Sequence, residues 1–141
     1  LSRASRGNHQ FSVLFLDVDY FKTVNDSNGH MVGSQVLVEL SKLFHAGIRS
    51  TDFAFRYGGD EYIIILSGAN SQNASMVAER LRKRVQDAVF LIQGAQVKVT
   101  VSIGIATYPE HAKTTQDLLS MADSAMYEGK HRSRNVVYLA S

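Results

Sequence analysis

Two short acidic stretches hold the residues with which this chain could do chemistry. Asp17-Val18-Asp19 closes the apolar run Phe11–Leu16 (FSVLFL), and Asp60-Glu61 follows Gly58-Gly59 in FRYGGDEYIII. Side chains alternate along a strand, so Asp17 and Asp19 leave on one face. If the two strands are neighbours, several carboxylates converge at one sheet edge, which is costly unless cations neutralise them. Mg²⁺ prefers oxygen ligands and is commonly shared between a few carboxylates and substrate phosphates. Glycine N–H groups, with no Cβ in the way, are open to a phosphate. The chemistry indicated is phosphoryl or nucleotidyl transfer, with one or two metals. A solvated acidic turn is the competing reading of Asp60-Glu61, and composition alone does not choose between the two.

Other chemistries are excluded or unsupported. The chain has no cysteine, hence no disulfide or thiolate metal site. It has no G-x-x-x-x-G-K-[ST] phosphate loop and no H-E-x-x-H. His9, His30, His45, His111 and His131 show no metal-ligand spacing, and most of them read as surface residues. A net charge of +2 is too small to argue for nucleic acid. The 141 residues, 45% of them apolar, suit a single domain with one real core. No run of about 18 apolar residues suggests a membrane span, and no signal peptide is visible, so a cytoplasmic domain without membrane contact is expected.

The acids need elements to position them. Phe11–Leu16 reads as a buried strand. Asn25-Asp26-Ser27-Asn28-Gly29 reads as a loop. Val36, Leu37, Leu40, Leu43 and Phe44 recur at helical spacing, with Gly47 as the stop. Phe53–Arg56 and Tyr62–Leu66 flank Gly58-Gly59 as an antiparallel hairpin, the glycines supplying positive φ. Ala74, Val77, Ala78, Leu81, Val85 and Ala88 mark a second helix. Val97, Val99, Val101, Ile103 and Ile105 alternate with small or polar residues as one long strand. Thr115 is placed to cap a third helix carrying Leu118, Leu119, Ala122, Ala125 and Met126, and Asn135–Leu139 reads as a last strand. This order predicts an α/β domain of the α+β kind, a mixed sheet with helices packed on it.

Three segments resemble one family. DVDYFKTVNDSNGHMVGS (Asp17 to Ser34), RYGGDEY (Arg56 to Tyr62, with Tyr62 where Phe is usual) and ADSAMYEGKHRSRN (Ala122 to Asn135, with Ser133 where Gly is usual) are similar, in order, to the signatures of GGDEF domains, the diguanylate cyclases. The resemblance runs from Phe11 to near the end of the chain. It implies a five-stranded, mostly antiparallel sheet wrapped by helices, akin to nucleotidyl cyclases and the polymerase palm. It also implies an enzyme that joins two nucleoside triphosphates, one held by each of two facing domains. A ribose 3′-OH attacks the partner's α-phosphate and pyrophosphate leaves.

Carried over residue by residue, the resemblance makes Asp17, Asp60 and the Val18 carbonyl ligands of Mg²⁺ (Mn²⁺ is possible), two ions to a site. Asp60 becomes the candidate base, and Glu61 shares metal or base duty. Lys22 would stabilise charge on the phosphates. Lys130 and Arg134 would grip the terminal phosphates, their spacing placing them on one face if the helix continues. Asn25, His30 and Ser34 match substrate-contact positions beside Gly58 and Gly59, and Phe21 packs below the nucleotide or in the core. Arg49 and Asp52 match an R-x-x-D inhibitory site for cyclic dinucleotides, with Arg80 reaching the ligand from a partner domain.

Two departures matter. Ser34 stands where the family usually has Asp. An ionised carboxylate only accepts, which suits guanine N1–H and its 2-amino group, whereas a hydroxyl both donates and accepts and can serve adenine as well. The chain therefore resembles the hybrid promiscuous subgroup that makes 3′,3′-cyclic AMP-GMP from ATP and GTP, with cyclic di-GMP and cyclic di-AMP as other products. A strict diguanylate cyclase and an inactive cyclic di-GMP or GTP sensor are the alternatives, and a palm-like polymerase would lack a basic duplex channel. The family's opening D-x-L-T-x-L-x-N-R-R segment is also missing. Leu1–Asn8 is read as the end of that helix, and the chain as a fragment of a larger homodimeric signalling protein.

Overall fold

The computed structural model describes residues 9–141; the reading of Leu1–Asn8 as a helix end lies outside the described residues. The central strand is β1 (Phe11–Val18), buried along its length except at half-buried Asp17. Its alternation serves two cores. Leu14, Leu16 and Val18 join Leu40 and Phe44 of helix α2 (His30–Ala46) and Leu81 of α3 (Ser71–Asp87). Phe11, Val13 and Phe15 instead join Leu118, Ala122 and Met126 of α4 (Thr115–Arg132). Helices thus cover both faces, and β1 reads as a continuous apolar run for that reason.

The sheet order is β2-β3-β1-β6-β7, with β2 (Phe53–Arg56), β3 (Glu61–Ser67), β6 (Val101–Tyr108) and β7 (Val136–Leu139). Three of its pairings are antiparallel and the β6–β7 pairing is parallel, so the sheet is mixed and mostly antiparallel. In register, Asp17 faces Glu61 on β3 and Ser102 on β6. The two acidic stretches are therefore neighbours. Gly104 on β6 lets α4 come close: a Cβ there would lie 2.9 Å from Met126 Cα and would also strike the Ala122 carbonyl.

Five local expectations need correction. Asn25–Asn28 is helical, part of α1 (Phe21–Asn28), and only the turn at Gly29 (φ +89°) separates it from α2. α1 buries Val24 alone, so it carries no stripe to announce it. The alternation from Val97 to Ile105 is two strands. β5 (Ala95–Val97) pairs with β4 (Phe90–Ile92) through Gln93 and Gly94, both at positive φ as a tight hairpin requires. Val97, Val99 and Val101 all enter the same core while the backbone leaves one ladder and joins the next. The cap of α4 is Thr114, whose hydroxyl accepts from Asp117 N–H at 3.1 Å. Neither Gly58 nor Gly59 adopts positive φ. The last strand begins at Val136, because Asn135 is left-handed at φ 49°.

Candidate active site

The hairpin tip is tied to β1: Val18 N–H donates to the Asp60 carbonyl at 3.1 Å. That contact places the Asp60 carboxylate beside Asp17. Burial, and then the Asp60 charge, push the Asp17 carboxyl from 3.8 to about 7, with Lys130 pulling the other way. Asp17 Oδ1 is buried without a hydrogen-bond partner. Glu61 is also raised, by burial first, then by Asp123 and Asp60. Its carboxylate lies against Gly58, where a Cβ would sit 2.5 Å from Oε1. A side chain at 58 would make that carboxylate swing aside, whereas Gly59 faces open space. Arg56 Nε holds the tip from behind, donating to the carbonyls of Gly58 (3.3 Å) and Gly59 (3.0 Å).

Lys130 enters from α4. Its ammonium donates to the Val18 carbonyl at 3.3 Å and to Asp19 Oδ1 at 3.2 Å, and pairs with Asp17 Oδ2 at 3.4 Å. It thus rests on the very carbonyl and carboxylate that the resemblance gives to a metal. Among the described residues, no group of three or more His, Cys, Asp or Glu side chains is placed to hold a metal ion. Two carboxylates, one of them with an unpartnered oxygen, and a main-chain carbonyl still suit a hard cation that takes its other ligands from phosphate.

Arg134 does not share a helical face with Lys130. α4 ends at Arg132, and Arg134 turns left-handed at φ 57°. Its guanidinium lies over the Tyr20 ring, 4.4 Å from the centroid, and its Nε is buried without a partner. The base-contact candidates gather at the α1–α2 elbow. Asn25 Oδ1, a third buried and unpartnered atom, abuts Gly33, the residue before exposed Ser34. His30 opens α2 and Lys22 lies in the first turn of α1, both exposed. Phe21 is half-buried against the core, with its ring also near Gly33.

Comparison with known proteins decides the family. The family described as "Diguanylate cyclase, GGDEF domain" matches residues 1–136. The chain belongs to the GGDEF family. Diguanylate cyclase A of Treponema denticola is 39% identical over 129 residues, which cover 92% of this chain and 35% of that protein. The chain thus spans about a third of the length of that curated relative. The GGDEF domain of YfiN (TpbB) from Pseudomonas aeruginosa superposes with a TM-score of 0.96 at 37% identity, covering 99% of this chain and 88% of that one. The GGDEF domain of DgcB from Caulobacter crescentus, solved in complex with c-di-GMP, gives 0.90 at 27% identity, covering 98% and 82%.

This GGDEF domain also has a cavity at the opposite end of the β2–β3 hairpin from Asp60. Its volume is about 340 Å³, and Arg49, Asp52 and Arg80 line it with apolar Leu66, Met76 and Val77. The Asp52 carboxylate is nearly enclosed; it accepts from Arg49 N–H and Ser67 N–H, both at 2.9 Å. Arg49 Nη2 donates to the Ser67 carbonyl at 2.5 Å, and Arg80 Nη2 to the Gly47 carbonyl at 2.6 Å. All three residues line one cavity of one chain, so Arg80 needs no partner domain to reach it.

Sequence reasoning missed several residues. Asp19 has its own hydrogen-bond web, described below. Arg56 and Asp123 carry ordinary surface charges in the sequence; the fold turns Arg56 Nε back onto the Gly58 and Gly59 carbonyls and brings Asp123 near Glu61. His111 is not a surface residue: its ring is largely enclosed and accepts from Thr107 N–H at 2.8 Å.

Proposed function

We propose that this GGDEF domain condenses two molecules of GTP into cyclic di-GMP. The observation that carries the reading is the Asp17–Asp60 pair, with its unpartnered oxygen and the Lys130 cation beside it. Each of two facing chains would hold one nucleotide. The 3′-oxygen of one ribose bonds to the α-phosphorus of the other nucleotide, the bond to the bridging oxygen breaks, and pyrophosphate leaves. The same step in the opposite direction closes the ring.

Asp60, with Glu61 beside it, takes the proton of the 3′-OH. Lys22, Lys130 and Arg134 neutralise the triphosphate, and Asn25, His30 and Ser34 meet the base. Asp17, Asp60, Glu61 and the Val18 carbonyl would hold Mg²⁺ or Mn²⁺, which lowers the hydroxyl pKa and offsets phosphate charge when bound. Cyclic dinucleotide would occupy the Arg49–Asp52–Arg80 cavity as an inhibitor. The test is pyrophosphate release from GTP with Mg²⁺, which Asp60→Asn should abolish. Binding of GTP without any release would favour a sensor instead.

Relaxed base choice is the second reading, and Ser34 carries it. Two of the relatives, Diguanylate cyclase A and TpbB, are described as diguanylate cyclases, which supports the guanine-only reading at least as well. Equimolar ATP and GTP distinguish the two. Cyclic di-GMP alone upholds the first reading; cyclic AMP-GMP that disappears in Ser34→Asp upholds the second.

A further inference from the structure

Asp19 is almost fully enclosed, at 2% exposure, yet its carboxylate has a donor on every side. Oδ1 accepts from Ser102 Oγ at 2.7 Å and from Lys130 Nζ at 3.2 Å. Oδ2 accepts from Thr100 Oγ1 at 2.7 Å and from Asn135 N–H at 2.9 Å. Its own N–H donates to the Thr100 carbonyl at 2.9 Å. The donors come from β6, the segment before it, α4 and the turn after α4, so this one carboxylate joins all four. Four donors suit an acceptor-only carboxylate and no neutral side chain of the same shape.

The backbone around it is unusual. Tyr20, Arg134 and Asn135 are all non-glycine residues at positive φ (56°, 57° and 49°), which L-residues disfavour. Such conformations persist where the surroundings over-determine them, and they gather at functional sites. Here the Asn135 N–H is held by Asp19, and the Arg134 guanidinium by the ring of Tyr20, the next residue along from Asp19.

We propose that Asp19 is a positioning residue: it fixes Lys130 directly, and Arg134 through the Asn135 turn, as a preset pair of cations for the terminal phosphates of the nucleotide. Preset cations spare the site the cost of ordering two long side chains when substrate arrives. The inference rests on the triphosphate reading above. In Asp19→Asn the negative charge is gone, so the ion pair with Lys130 is lost in either amide orientation, and where the NH₂ faces Asn135 that contact is lost as well.

The experiment has two arms. In nucleotide-free protein, acetylation of Lys130 by a soluble active ester is followed by mass spectrometry. Lys130, whose side chain is 18% exposed, should react several-fold faster in Asp19→Asn, with Lys22 unchanged. In the second arm, affinities for GMP and for a GTP analogue with a non-cleavable α–β bridge are compared. The preference of the unmodified chain for the analogue should shrink about tenfold in Asp19→Asn, the worth of one hydrogen bond to a charged group, with GMP affinity kept. Thr100→Val, which removes one donor and keeps Asp19, should shift both readouts in the same direction by less. Unchanged Lys130 labelling would overturn the proposal, as would equal losses of analogue and GMP affinity. If the unmodified chain shows no preference for the analogue, the triphosphate reading fails and takes the phosphate role with it, while labelling still decides whether Asp19 holds Lys130.

Discussion

At the scale of single residues, Asp17 stands between opposed influences: burial and Asp60 raise its carboxyl to about 7, and Lys130 lowers it. The folded chain then holds a proton that the unfolded chain releases near 3.8. Stability from this group is complete below the unfolded value and is lost as pH rises through about 7. In chelator, the melting temperature should fall as pH rises from 3.8 to about 7 and level off above that, and Asp17→Asn should flatten that slope. Mg²⁺ should recover more stability at pH 8 than at 6, since cation and proton compete for one carboxylate. A slope unchanged in Asp17→Asn would contradict this account. Tyr62, where the family usually has Phe, puts its hydroxyl 2.5 Å from the Leu37 carbonyl inside α2. An interior helix carbonyl already has its intrahelical donor. Tyr62→Phe should therefore cost no more than about 1 kcal/mol in denaturant titration.

At the scale of elements, α4 brings Lys130 to Asp17, and Gly104 sets how closely it packs. Gly104→Ala would force α4 off β6, because the obstacles are backbone atoms that cannot turn aside. A loss of about 1–3 kcal/mol is expected from chemical denaturation, with triphosphate affinity falling alongside. At the far end of the β2–β3 hairpin, Arg49→Ala should abolish inhibition by cyclic di-GMP; inhibition unchanged in that variant would remove the cavity from the account. Elements were legible where burial imposed a period or, in β1, an unbroken apolar run. β1, α2, α3 and α4 each present apolar residues to a core, and the pattern followed. α1, burying Val24 alone, and the three-residue strands β4 and β5 left no such trace. Asp17, Asp60 and Glu61 stood out because acids beside a strand end or a glycine turn call for an explanation. The web of Asp19 was hidden because its partners lie far off in sequence, and the fold of four segments is needed to bring them together. The pairing of Arg134 with Tyr20 was hidden for the same reason, together with a left-handed turn that helical spacing does not foresee.

At the scale of the molecule, the described chain offers one Asp17–Asp60 site, whereas the proposed condensation of two nucleotides calls on two. Among the described residues no helix is long and apolar enough to cross a membrane. The proposed reaction should then depend on encounter, with specific activity rising as chain concentration rises until the dimer saturates. The most direct measurement is product identification: the chain is incubated with GTP and Mg²⁺ over a range of chain concentrations, and cyclic di-GMP is quantified by mass spectrometry beside an Asp60→Asn control. The account predicts cyclic di-GMP and two pyrophosphates per product, more than linear in chain concentration and absent from the control. GTP left intact at every concentration, or product formed equally by Asp60→Asn, would contradict it.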